Sequence, residues 1–549
     1  MSRLPLVLLL MAGMCSAVDP SGTLAVRVVN LRQEPLPVRA WVDAGGKRFF
    51  RPAAPVNATP YDRDRSFSCD GSFRLILPTG PATVHLEKGK EWVVVDRQVE
   101  IMSGQTTELS VTLMRWINLP EEGWFSSDLH VHFGHDQPEV LKQLARADDV
   151  HLVPAFSAWL RGHEKEWSRT WPKWEGGPVI GVDKHHLVTR NNLEIERING
   201  RAQPGATVGA TFLYNLKRPV FAQRFDTRFP TDATLALGAK RHSPNLIADT
   251  DKPSWGETTV GAALGVYDVA QLCHNHYHRE HTLPGGWGMI GPLSPDERPL
   301  SEPDELFRRT NRQYYHWLNC GIRMGVSGGS AMGVMRVPMG YNRTYARVIG
   351  DLTAESFWAA VKAGRTFATS GPALDLNIGE HRIGDTIKAK SGERFEARIR
   401  VRWTNKLERV ELVHNGEVVA LPDKSSSFSR SEPAIEPETF IAQYDTAHTG
   451  NVIALRSGWF AARVIYEAPD GRLRQAHTSP IYVSVDNRPT ANRASAEYNL
   501  RWIDRLIEIA ELPDRYQSKA DRDQVLLTYA RARAVYEKVA RVAKDVWGD

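Results

Sequence analysis

Cysteine is scarce in this chain, with four in 549 residues. Cys15 lies in an N-terminal apolar run, and Cys69, Cys273 and Cys320 are widely spread. Three such residues make no disulfide framework, and none has the Cys-x-x-Cys spacing of a zinc ribbon. Burial as small hydrophobes is the expectation for all three. Charge of one sign is lacking too. The 69 basic and 64 acidic residues leave a net +5, too little at this length to argue for nucleic acid, and no RRM, zinc-finger or helix-turn-helix pattern occurs. After the first residues no apolar run is long enough to cross a bilayer, so no integral membrane segment is expected. Apolar content of 42% and charged content of 24% are ordinary for globular protein and argue against long disorder.

The chain opens with a basic Arg3, an apolar stretch from Leu4 to Met14 and the small residues Cys15-Ser16-Ala17. This predicts a signal peptide over 1–17, cut after Ala17, and a secreted or periplasmic mature protein. Lipoprotein anchoring through Cys15 ranks second, because Met14 stands where such sites want a small residue.

The length predicts three or four domains. Residues 18–118 read as an N-terminal β-sandwich. Leu24, Val26 and Val28 alternate with other residues, as do Phe73, Leu75 and Leu77 after the Asp70-Gly71 turn, and Leu109, Val111 and Leu113. Over 119–370, apolar runs alternate with helical stretches. Strands are expected at 151–156, 186–189, 210–214, 245–248, 268–273 and 322–326. Helices are expected after Asp136, Ser301 and Thr353 as caps. Alternation of strand and helix over about 250 residues predicts a parallel α/β barrel. Residues 371–487 return to β, with strict alternation from Phe395 to Trp403 and an Asn415-Gly416 turn. Residues 488–549 predict a helical hairpin packed on the body, with a dimerisation device as the weaker alternative.

Ligand-type residues recur at the predicted strand ends of the middle segment. His130 and His132 lie in Asp128-Leu129-His130-Val131-His132, and residues two apart on a strand face the same side. Asp128 shares that side and is placed to orient one imidazole. Glu194 and Glu196, Asp249 and Asp251, and His274, His276 and His278 follow later strands. Each alone reads as a solvated charge or a satisfied histidine. Their regular placement at strand ends points to a site at a barrel mouth.

With these segments in order, the chain resembles the PHP superfamily of metal-dependent hydrolases, in its secreted CehA/McbA-like branch. The matching text runs from Gly123 to His132, then Asn192-Leu193-Glu194, Asn275-His276, Gly340-Tyr341-Asn342-Arg343-Thr344-Tyr345 and Ala363 to Pro372. The resemblance implies a distorted (β/α) barrel, here flanked by two β-sandwiches and a C-terminal helical hairpin. It implies His130 and His132 as the first ligand pair and Glu194 as the bridging carboxylate. Two departures reduce the site. Pro154 to Trp159 stands where a Thr-Asp-His triplet belongs, and Ser327 to Gly333 lacks the late Asp-x-His pair.

The expected set is therefore His130, His132, Glu194, Asp249 or Asp251, and His276 around one divalent ion, zinc, manganese or iron. Such an ion acidifies its water, with His278, or a carboxylate left free of metal, as general acid or base. Arg343 and Arg365 are either anion-binding forks or structural partners of carboxylates. The leading expectation is hydrolysis of an ester, amide or phosphoester bond in a small-molecule or glycan-type substrate. The rival is a non-catalytic carbohydrate- or ligand-binding protein on a degenerate barrel, for which 16 tryptophans supply stacking surface. A purely structural envelope protein ranks third.

Overall fold

The computed structural model describes residues 20–548 except 54–56, 133, 135, 162–176, 198–207, 221–224, 226–227, 286–288, 406, 420–443 and 513–514. The expected signal peptide over 1–17, with Cys15, lies outside the described residues. Strand outweighs helix, 39% to 22%, so the protein is a sheet-rich, multidomain molecule. The chain forms two compact units: Met1–Pro60, Arg65–Glu87 and Val94–Leu113 make the first, and Tyr61–Asp64, Lys88–Val93 and Met114–Asp549 the second.

The first unit is built on two sheets. In one, Ser21–Val29 lies between Ser72–Pro78, antiparallel, and Thr106–Thr112, parallel. In the other, Val38–Ala44 pairs with Ser66–Cys69 and Gly80–Glu87, and Gly80–Glu87 with Val95–Ile101. The alternation read from sequence is the burial pattern. Leu24, Val26, Val28, Phe73, Leu75, Leu77, Val111 and Leu113 are all buried, while Leu109 is half-buried.

The second unit is organised by one long sheet of 16 strands. Its order is Gly325–Gly328, Val269–Cys273, Ile247–Asp249, Gly209–Tyr214, Leu187–Arg197, Leu152–Arg161, Trp124–Ser127, Arg343–Arg347 and Thr366–Thr369, continuing into Leu473–Thr478, Gly458–Glu467, Arg409–His414 and Glu417–Val419. The expected parallel barrel is not what the ladders form. Gly209–Tyr214 pairs antiparallel on both sides, and Trp124–Ser127 pairs antiparallel with Arg343–Arg347. The sheet is mixed and its ladders stay open. Just beyond the ladders, the HxH segment touches the end of the edge strand Gly325–Gly328 and the residues that follow it. Leu129 N donates to Gly328 O (3.1 Å), His132 N to Met332 O (2.8 Å), and Val131 bridges Met332 in isolation.

Of the three expected caps, the structure uses Thr353 alone. Pro138–Ala147 begins from Gln137, which makes no side-chain cap, and not from the expected Asp136. Glu305–Asn319 starts from Asp304, which makes no side-chain cap, and not from the expected Ser301, and it ends before Gly321, whose φ is 77°. Ala354–Lys362 is capped by Thr353 in a reciprocal box with Ser356. A further sheet, Ala373–Ile378, Glu393–Trp403 and Tyr444–Ala454, buries Leu376, Ile399 and Val401 in one cluster with Phe460 and Val464 of the long sheet. The C-terminal helices Arg493–Glu511 and Lys519–Val542 pack on the body. Trp502 Nε1 donates to Gly256 O (2.8 Å), Tyr529 OH to Glu257 Oε1 (2.8 Å) and Tyr536 OH to Thr259 O (3.0 Å). Three buried hydroxyl or indole donors thus brace residues 256–259, just after Asp251.

A candidate metal centre

The alternation of Leu129-His130-Val131-His132 sorts its side chains. Leu129 and Val131 enter two apolar clusters, so the imidazoles share the other face. Glu194 is flanked by Leu193 and Ile195, both in the largest core cluster, which turns its carboxylate the opposite way. Strand register then builds a row: Trp159 opposite Glu194, Glu194 opposite Phe212, Phe212 opposite Asp249. The rings of that row wall the site. Trp159 stands 4.4 Å from the His132 ring and Phe212 4.4 Å from the His130 ring, centroid to centroid.

Three ligand atoms converge inside this wall. His130 Nε2 and His132 Nε2 are 3.0 Å apart, and Glu194 Oε2 lies 2.8 Å from His132 Nε2 and 3.7 Å from His130 Nε2. Zinc–ligand bonds of about 2.0–2.1 Å in a tetrahedron put neighbouring ligand atoms about 3.3 Å apart. The observed triangle brackets that spacing. Burial holds the His130 pKa below its ordinary value against the pull of Glu194, so its ring is neutral and offers a lone pair. Burial opposes ionisation of Glu194, but His132 and His130 hold it well below the usual carboxylate range. The donor set, two imidazoles and an ionised carboxylate, suits a divalent cation.

Asp251, rather than Asp128, is the carboxylate facing His130 Nδ1, at an ion-pair distance without a hydrogen bond. Its Oδ1 lies 3.6 Å from His130 Nδ1, and its Oδ2 accepts from Lys252 Nζ (2.8 Å) and Trp255 Nε1 (2.7 Å). A carboxylate behind Nδ1 favours the tautomer that leaves Nε2 for an ion. Asp128 instead accepts three backbone N–H groups, from His130 (3.0 Å), Ser330 (2.8 Å) and Gly340 (2.7 Å). Burial pushes its pKa up to about 6, against those amides. Asp128 holds loops together and does not touch an imidazole.

The other expected residues stand outside the triangle. Asp249 is two strands from Glu194 in the register row and is not among the ligand atoms that converge within 4.8 Å of one another. Its Oδ2 accepts from Ser327 Oγ (2.6 Å) and Gln271 Nε2 (3.4 Å), and burial raises its pKa to about 7. His276 points Nδ1 toward Leu283 O (3.3 Å). His278 pairs with His281 Nε2 (2.6 Å) and donates to Asn275 O (3.1 Å), with its pKa lowered to about 4 by burial and His281. Arg343 is consumed by structure. Its guanidinium donates to the carbonyls of Gly340 (2.7 Å), Asp149 (3.1 Å) and Asp148 (3.1 Å), leaving no fork for an anion. Cys69, Cys273 and Cys320 are buried free thiols.

A second cluster, Asp149, His151 and His186, also falls within ligand range. Sequence reasoning missed it. The one available signal was Asp149 and His151 flanking a strand start. Its chemistry is that of an ion-pair network. His151 Nδ1 accepts the Ser126 N–H (3.0 Å), so the neutral ring carries its proton on Nε2 and has no lone pair there. Asp149 is already bound by Arg115 (2.8 Å) and Trp92 (3.0 Å). His186 sits between Asp149 (3.3 Å) and Asp183 (2.8 Å), which raise its pKa against burial.

No family model, no curated protein and no solved structure matches the chain. Fold and site together define a sheet-rich, multidomain protein with a histidine–carboxylate group close enough to hold a metal ion. No helix among the described residues is long and apolar enough to cross a membrane.

Proposed function

We propose that this is an exported metal-dependent hydrolase, with one divalent ion held by His130, His132 and Glu194. The observation that carries the reading is the triangle of ligand atoms at 3.0, 2.8 and 3.7 Å. Three protein ligands leave a coordination position open for water or substrate, the arrangement of catalytic rather than structural sites. The ion supplies Lewis acidity and an acidified water. The chain's own residues do the rest. Asp251 orients His130, while Trp159, Phe156 and Phe212 exclude bulk water from the imidazoles. The two backbone hydrogen bonds and the Val131–Met332 bridge between 129–132 and 328–332 support a PHP-like barrel seam. The substrate class is an ester, amide or phosphoester.

Metal analysis of purified wild-type and His130→Ala protein, beside hydrolysis of generic carboxylic and phosphate esters, tests the reading. One equivalent of ion and measurable hydrolysis in the wild type, both lost in the variant, are expected. Equal absence of metal in both after loading would refute it.

A further inference from the structure

Most inward-facing arginines of the second unit are matched to acids. Arg115 pairs with Glu91 and Asp149, Arg402 with Glu122, Arg463 with Glu411 and Arg474 with Asp470. Three others, the half-buried Arg347 and Arg365 and the exposed Arg382, line one cavity of about 370 Å³ together with Asp375 and Asp385 but make no direct ion pair. Among the described residues, the guanidiniums of Arg347, Arg365 and Arg382 make no hydrogen bond or ion pair.

Strand register forces two of them together. Ala346 lies opposite Thr366, and Arg347 N donates to Arg365 O (2.8 Å), so these two arginines occupy the next rung. Like charges directly opposite on a sheet are destabilising. Arg382 reaches the same cavity from a short hairpin strand, its backbone N–H fixed by Asp385 Oδ2 (2.8 Å). Burial and the charges of Arg382 and Arg365 lower the Arg347 pKa. Asp375 and Asp385 oppose that shift, and an anion added among the guanidiniums would relieve the repulsion that remains.

The cavity also presents Asp375 and Asp385, while Glu122 is bound by Arg402. Three guanidiniums against those two carboxylates leave one positive charge. Guanidinium forks match phosphate-type oxygens, and three forks offer more donors than a carboxylate's two oxygens take up. Carboxylates accept hydroxyl protons. The geometry points to a binding site for a small, hydroxyl-rich molecule bearing a phosphate or sulfate ester, with Arg347, Arg365 and Arg382 on the oxyanion and Asp375 and Asp385 on hydroxyls. The volume lies within the range of small-ligand pockets. None of these residues belongs to the His130–His132–Glu194 group, so the site stands apart from the hydrolase reading.

The test is calorimetric titration of the full chain, in EDTA, with glucose 6-phosphate, glucose 6-sulfate and glucose. At least one ester is expected to bind, and glucose not to. Binding of one ester alone names the acid group. Arg347→Gln, Arg365→Gln and Arg382→Gln should each weaken binding about tenfold or more. Arg365→Gln should not lower the melting temperature of the ligand-free protein, because it relieves repulsion. His130→Ala should bind as wild type does. No heat with either ester, glucose binding equal to the esters, unchanged affinity in the arginine variants, or loss of binding in His130→Ala would overturn the proposal.

Discussion

Replacing Asp251 by Asn tests the metal centre without removing a ligand. The Asn keeps the shape and removes the charge behind His130 Nδ1, 3.6 Å away. Loss of such a supporting carboxylate weakens metal affinity about 10- to 100-fold. An ion at about 1,000 times its dissociation constant stabilises a folded protein by about 4.1 kcal/mol, and at 10 to 100 times by about 1.4 to 2.7 kcal/mol. The substitution should therefore remove about 1.4 to 2.7 kcal/mol of the metal-dependent increment. Thermal unfolding of EDTA-treated and ion-loaded protein reads it as a shift of order a few degrees. The increment is the quantity to compare, because Asp251 also holds Lys252 and Trp255 and its loss lowers stability with or without metal. Asp249→Asn is the control and should keep the wild-type increment, since Asp249 is engaged by Ser327 and Gln271. A full increment in Asp251→Asn with a lost one in Asp249→Asn would refute the ligand geometry. No increment in the wild type with zinc, manganese or iron would refute the centre.

Gly329→Ala should abolish metal retention although Gly329 ligates nothing, because its Cβ would fall 2.6 Å from His130 Cβ and 2.8 Å from His130 N; metal content after gel filtration checks it. Arg343→Met should cost about 3 kcal/mol or more, since it strips a charged donor from three buried carbonyls; urea unfolding measures it, and wild-type stability would refute the structural role. The raised pKa of His186 gives a pH signature with a definite sign. Its contribution is fully present below the ordinary value of 6.5 and is lost as pH rises through the raised folded value. His186→Gln should flatten the fall in stability that begins near pH 6.5 and ends at the raised value, as read by unfolding at a series of pH values.

The ligand triangle was legible because period-two alternation is strict. Leu129 and Val131 bury one way, so His130 and His132 must face the other, and Leu193 and Ile195 do the same for Glu194. The choice between Asp249 and Asp251 was not legible. Asp251 has φ 53°, a left-handed turn that swings its carboxylate back toward His130, and no spacing rule announces it. Arg343 was open to two readings because a guanidinium serves anions and carbonyls equally well; only the position of Gly340 decides. The parallel barrel was expected from alternating strands and helices. Pairing direction is set by how Gly209–Tyr214 doubles back between two neighbours, a tertiary fact with no local code.

The bonds from Asp128 to Ser330 and Gly340 span 202 and 212 residues. Loop closure over such distances comes late in folding. The metal centre is thus assembled only after the chain has organised its sheet as far as Gly340, and partly folded chains hold His130 and His132 without their supports. Metal capture should appear in refolding as a final, slow event that no isolated fragment ending before Gly340 reproduces.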